Sequence, residues 1–229
     1  MRNYFLLTFL MLTISEQVNG QTRTYELKKG DAFDLIMFNT VPESGEILKK
    51  YFGSAVSVAQ TYGYVPQKGF QVDQAPFQGN YWPKTIIVGK WGDYEKRVDF
   101  TTEITNEVPD FHEMRREIWS TFNLTYWKIK EDQTISVNPE KFNVLTAYWA
   151  ENTDLFEKFN DQWIKVAKAS GGKMVLELTD GTSPFGYNYD PDYLTITEWE
   201  SQAAFEQFRI KNQSMSHVGV KHVNQFALK

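Results

Sequence analysis

The chain has 229 residues, 41% of them hydrophobic and 23% charged, with a formal net charge of −5. This is the profile of a globular protein of one large or two small domains, and the acidic balance speaks against a broad nucleic-acid footprint. With no cysteine there is no disulfide, thiolate metal site or Cys nucleophile.

The first twenty residues differ from the rest. Arg2 precedes the apolar run YFLLTFLMLTIS, and Val18 and Gly20 are small residues before a cut at Gln21. A basic start, a short apolar stretch and small residues predict a secretory signal over 1–20, hence a secreted or periplasmic mature protein with no membrane span.

Downstream, APFQGNYWPKTIIVGKWGD (75–93) and SPFGYNYDPDYLTITEWES (183–201) share Pro-Phe, Asn-Tyr, Pro, a β-like run and Trp in one register. At the same offset of about 108 residues, Lys50 meets Lys158, Val58 meets Val166, Gly63 meets Gly171 and Phe100 meets Phe208. The pattern predicts a tandem duplication: a first unit over 21–130, a polar linker over 131–140 and a second unit over 141–229.

Each unit opens with an apolar strand, FDLIMFNT (33–40) or NVLTAYW (143–149). Helices follow, with Ser44 and Thr153 as expected caps and core-facing stripes that include Tyr51, Ala55 and Ala59, or Phe156, Phe159 and Trp163. Next come a second strand, the Pro-Phe loop and a third strand ending at Trp91 or Trp199. A second helix and a last strand, FNLTYWKI (122–129) or HVNQFAL (222–228), complete each unit. The fold class is α+β, two ferredoxin-like β-α-β-β-α-β units whose sheets cover each other as an intramolecular, pseudo-dimeric barrel.

YLTITEWESQAAFEQFRIKNQSMSH (193–217), with Trp199-Glu200-Ser201, Phe205, Phe208 and His217, resembles the third strand and second helix of the dimeric α+β barrel superfamily. The closest branches are the antibiotic-biosynthesis-monooxygenase-like domains and their heme-degrading relatives. The first unit matches more loosely, through Trp91, Phe100 and His112. The resemblance implies a pocket between helices and sheet, with both histidines near its end. Its heme-degrading branch implies heme held by an Asn, a helix Trp and a His. Asn39 matches the Asn, Ala147 falls at that place in the second unit, and Phe100 and Phe208 replace the Trp.

The expected catalytic residues are His217 as acid or base, with Asn39 and Tyr148 orienting the ligand. His112, Trp127, Trp149, Tyr81 and Tyr189 are expected to line a pocket for a small apolar or aromatic molecule. Glu177 and Glu198 would form a carboxylate pair if they shared a sheet face, and HEMRRE (112–117) reads as a solvated helix face. No G-x-S-x-G, G-x-G-x-x-G or P-loop occurs, and three histidines without clustered carboxylates predict no metal site. Two functional readings remain open, a cofactor-independent oxygenase, isomerase or lyase and a non-catalytic binding module. The expected assembly is a monomeric pseudo-dimer or a higher homo-oligomer.

Overall fold

A computed structural model describes residues 21–229, so the signal reading at 1–20 lies outside the described residues. Ten strands and six α-helical segments build two similar halves. The first runs β1 (Arg23–Leu27), β2 (Ala32–Thr40), α1 (Gly45–Tyr51), α2 (Ser57–Thr61), β3 (Tyr64–Gln71), β4 (Thr85–Trp91), α3 (Tyr94–Glu107), α4 (Phe111–Ile118) and β5 (Trp119–Lys128). The second runs β6 (Gln133–Val137), β7 (Phe142–Ala150), α5 (Thr153–Ala169), β8 (Lys173–Thr179), β9 (Tyr193–Trp199), α6 (Gln202–Gln213) and β10 (Val220–Leu228).

The two four-stranded sheets are antiparallel, in the orders β3-β4-β2-β5 and β8-β9-β7-β10, so each half has the ferredoxin-like arrangement. Their edges meet. Gln71 and Lys229 exchange backbone hydrogen bonds of 3.0 and 2.9 Å, and Tyr126 and Thr182 exchange bonds of 3.0 and 2.9 Å, closing a barrel. The stretch expected as a linker carries β6, which pairs with β1 around Tyr25 opposite Ile135. Its polar residues alternate with buried Ile135 and Val137, the signature of a half-buried strand rather than a tether.

Three apolar layers result. The barrel interior holds Phe33, Leu35, Met37, Ile86, Val88 and Trp127 from one sheet against Leu145, Leu176, Leu194, Ile196 and Phe226 from the other. The outer face of the first sheet packs on α1–α4, and that of the second on α5 and α6. Burying a large apolar side chain contributes about 1.5–3 kcal/mol, so neither half could leave its inner face in water.

The expected caps are partly revised. Ser201 caps α6 by accepting from the Ala204 N–H, and Asn152 rather than Thr153 caps α5, through the Leu155 N–H. Ser44 Oγ donates to the Val41 carbonyl instead of capping. The helix after β2 is interrupted by a π-helical turn, Phe52–Val56, whereas its counterpart α5 is one unbroken α-helix of 17 residues.

The repeated Pro-Phe loops do more than turn the chain, because each crosses to the other half. Phe77 N donates to Gln225 O and Gln225 N to Gln78 O, on β10. Phe77 then packs on Phe205, with centroids 4.8 Å apart. Phe185 packs on Phe111 and His112 of α4, and Tyr187 on Phe122 of β5.

This crossing yields a stability prediction. Gly79 (φ +82°) and Gly186 (φ +76°) are both left-handed, but a Cβ at Gly79 would sit 2.6 Å from the Val223 carbonyl, while at Gly186 it meets open space. Gly186→Ala is expected to cost about 1–2 kcal/mol from backbone strain. Gly79→Ala is expected to cost clearly more, because the loop must also lift off β10. Equal shifts of the urea midpoint for the two variants would contradict this account.

Candidate functional site

The helix–sheet layer of the first half contains a small cavity of about 60 Å³. Asp34 on β2, Arg97 on α3 and Arg115 on α4 line it with Tyr51, Trp91 and Trp119. Asp34 and Arg97 are each 1% exposed, and Arg97 Nε donates to both carboxylate oxygens at 2.9 and 3.1 Å. Arg97 also donates through Nη1 to Thr101, and its guanidinium lies 4.3 Å from the centre of the Tyr126 ring and 4.9 Å from that of Trp91. Burial pushes the Asp34 carboxyl up, with Arg97 opposing that rise.

Arg115 is 5% exposed. Its Nε donates to Tyr51 Oη at 3.0 Å and its Nη1 to Tyr187 Oη at 3.3 Å. Phe111 and Phe122 flank it at 4.0 and 4.5 Å from guanidinium to ring centre. Arg115 forms no ion pair within bonding distance among the described residues, although its charge also acts on the Asp34 carboxyl and opposes its rise. His112, beside the loop that covers this corner, is held below the ordinary histidine range by burial and then by Arg115 and Arg116.

The corresponding layer of the second half has no charged side chain at the equivalent positions, although the polar residues Thr146, Thr195, Thr197 and Asn212 are buried there. Asp34 pairs with Gly89 and Val144 with Thr197, so Asp34 and Val144 occupy one position in the two sheets. The Asp93 and Ser201 caps align α3 with α6, which sets Arg97 opposite Phe205. Val144, Phe205, Trp163 and Phe208 are each at most 1% exposed, packed together where the first half has its ion pair.

A second concavity, an open groove of about 290 Å³, lies between the repeated loops. Tyr81, Tyr189 and Trp149, three of the residues expected to line a pocket, meet here beside Asn80, Asn188 and Asn123. The Tyr81 and Tyr189 rings are 5.4 Å apart, and Trp149 stands perpendicular to Tyr189 at 5.0 Å. Tyr81 Oη donates to the Met37 carbonyl and burial pushes its phenol up to about 12; Tyr189 Oη donates to Asn224. The echo between the loops thus supplies equivalent Asn-Tyr pairs to one groove.

The remaining expected residues do not converge. His217 is exposed against the Phe159 ring rather than aimed into a cleft, because α6 ends at Gln213 and the chain turns outward. Asn39 ties down the turn before β4, donating to Trp82 O and accepting from Lys84 N. Its counterpart is Trp149, not Ala147, since the first strands are offset by two residues more than the third strands. Tyr148 is buried in the second half against Phe159 and Trp163. Trp127 lies in the barrel interior, and His112 is half-buried at the covering loop. Glu177 accepts from Tyr193 while Glu198 accepts from the Asn138 N–H, so they form no pair. HEMRRE is not wholly solvated, since Met114 and Arg115 face inward.

No group of three His, Cys, Asp or Glu residues that could hold a metal ion occurs among the described residues. Nor does the helix–sheet cavity fit a heme, the cofactor raised by the sequence resemblance; His222 lines the open groove instead. Ligand-sized pockets run to several hundred Å³, the cavity is far smaller, and no histidine lines it. No helix among the described residues is long and apolar enough to cross a membrane.

Sequence reading missed Asp34, Arg97 and Arg115. A signal was present, because aligning the halves sets two charges opposite Val144 and Phe205, but it needed the structural register.

No family model matches the chain, and no curated protein matches it. Among solved structures it is similar to an anthrone oxidase-like protein, at 14% identity and TM-score 0.54, covering 90% of this chain and 94% of that one. It is also similar to chlorite dismutase from Candidatus Nitrospira defluvii in complex with imidazole, at 8% identity and TM-score 0.50, covering 89% and 92%. These likenesses show a shared α+β barrel fold over nearly the whole described chain.

Breaking the buried pair tests the site's energetics. Arg97→Met leaves Asp34 buried and uncompensated, an expected loss of about 3–5 kcal/mol. Installing the second half's residues, Asp34→Val with Arg97→Phe, is expected to recover most of that loss. Urea unfolding measures both, and a double variant no more stable than the single one would contradict the equivalence of the two layers.

Proposed function

We propose that the protein is an exported pocket protein of the monooxygenase-like α+β barrel kind, made by tandem fusion of two units. Its working site is the helix–sheet cleft of the first unit, which takes a small, largely apolar molecule without a nucleotide cofactor. The observation that carries this reading is the asymmetry between equivalent layers, with Asp34 and Arg97 in one and Val144 and Phe205 in the other. An apolar core of similar volume is as stable as a buried ion pair or more so, so stability alone gives no reason for the charges and the cavity. The π-helical turn beside the cavity supports the same assignment, since such turns are frequent at functional sites.

Binding is the better supported of the two activities. No histidine lines the cleft, and the one carboxylate there has both oxygens engaged by Arg97. Turnover by a cofactor-independent oxygenase, isomerase or lyase is the second reading, favoured by the likeness to an anthrone oxidase-like fold and by the raised Asp34 carboxyl. One chain supplies both sheets of the barrel, which favours a monomeric pseudo-dimer.

Trp91 and Trp119 line the cavity and serve as reporters. In a small-molecule screen, a cleft ligand is expected to change the intrinsic fluorescence of the wild type and leave the Asp34→Val, Arg97→Phe double variant unchanged. A ligand that binds both proteins equally would move the site elsewhere. Export predicts a mature N-terminus at Gln21, read by mass spectrometry of the protein from its natural host; a retained Met1 would remove that part of the proposal.

A further inference from the structure

The cleft contains more positive charge than it neutralises. Two guanidinium groups, Arg97 and Arg115, line it with one carboxylate, and Arg97 takes both oxygens of Asp34. A buried charge without a paired counter-charge costs several kcal/mol in a desolvated site. Arg115 is 5% exposed and its described polar partners are two neutral phenols.

Other groups on the cavity wall are also donors. Trp119 Nε1 is buried with no hydrogen-bond partner, and Trp91 Nε1 faces Asp34 without completing a bond. Tyr51 Oη accepts from Arg115, which leaves its own proton to donate. The lining also includes hydrocarbon, Ile36, Ile87 and Leu124 from the sheet and Val56 from the π-helical turn. A volume of about 60 Å³ matches about two waters' share of the liquid. Such a space admits a short chain, not a fused-ring system.

Resting on the cleft as the working site, we propose that its ligand is a short monocarboxylate, of the size of acetate or propionate, held head-first on Arg115. The planar guanidinium matches a carboxylate through two parallel N–H bonds. Trp119 Nε1 and the Tyr51 hydroxyl would donate to the same oxygens, and the alkyl end would lie against the aliphatic side chains. Arg115 Nη1 donates to the Tyr187 hydroxyl at 3.3 Å, a long bond that an anion would replace with a stronger one. Phe185, two residues before Tyr187, has φ +59°, a conformation that bulky side chains rarely adopt, so the covering loop carries backbone strain.

The test titrates the protein with propionate and propionamide, which share shape and differ in charge, at constant ionic strength set with chloride. Tryptophan fluorescence reads binding, and the urea midpoint reads linked stabilisation. The wild type is expected to bind propionate about tenfold or more tightly than propionamide. Arg115→Met is expected to abolish that preference. Arg115→Lys keeps the charge and the fold while losing the fork, and is expected to weaken propionate binding without abolishing it. Arg116→Met, at an exposed neighbouring position, should leave it intact.

Equal affinity for propionate and propionamide in the wild type would overturn the anion assignment while leaving the cleft as a binding site. Retention of the full preference in both Arg115 variants would overturn the role of Arg115. An unchanged tryptophan signal with every probe, including the neutral one, would remove the cleft itself along with the inference.

Discussion

Each four-stranded sheet of this protein is buried on both faces, and everything else follows from that constraint. Helices cover one face of each sheet; the other face has no helices of its own to cover it. Phe33, Leu35 and Met37 on one inner face meet Leu145, Ile196 and Phe226 on the other. Leaving either set in water would forfeit about 1.5–3 kcal/mol for each large side chain. The two halves therefore stabilise one core jointly. The edge bonds at Gln71–Lys229 and Tyr126–Thr182 and the β1–β6 ribbon fasten the union.

The Pro-Phe loops turn that union into a mutual arrangement. Each leaves its own sheet, bonds or packs against the last strand of the other and sets an aromatic ring on the other's helical layer. In the second half the ring of Phe77 meets Phe205 and completes an apolar packing. In the first half Phe185 and Tyr187 cover a layer that is not filled, and their neighbour below is Arg115. One device seals one layer and covers a polar cavity in the other. That difference separates two otherwise similar halves.

The relation between charge and packing explains why the difference persists inside a stable core. Arg97 stacks on Trp91 and Tyr126, donates to both Asp34 oxygens through Nε and reaches Thr101 through Nη1, so its charge is compensated on several sides. Arg115 has the aromatic flanks but not the carboxylate. A buried guanidinium with neutral partners is poised for an anionic ligand in a way that a paired one is not.

The α+β class, the order of most strands and helices and the covering of one sheet by another were legible in the sequence. They depend on periodicity and on repeated residues such as Trp91 and Trp199, which lie close along the chain to the elements they mark. The tyrosines of the repeated loops were also legible, and Tyr81 and Tyr189 do share a groove. The site was not legible, because it depends on which residues meet across layers. His217 carried the family resemblance yet faces solvent, since the turn after α6 carries it outward. Arg115 sits in a run of charges that reads as a solvated face, and only the packing of α4 against β5 and the crossing loop buries it. The residues alone determined the architecture, because hydrophobic period and glycine punctuation act locally. Tertiary structure alone decided which charges lost their water, because desolvation depends on what the rest of the chain places around them.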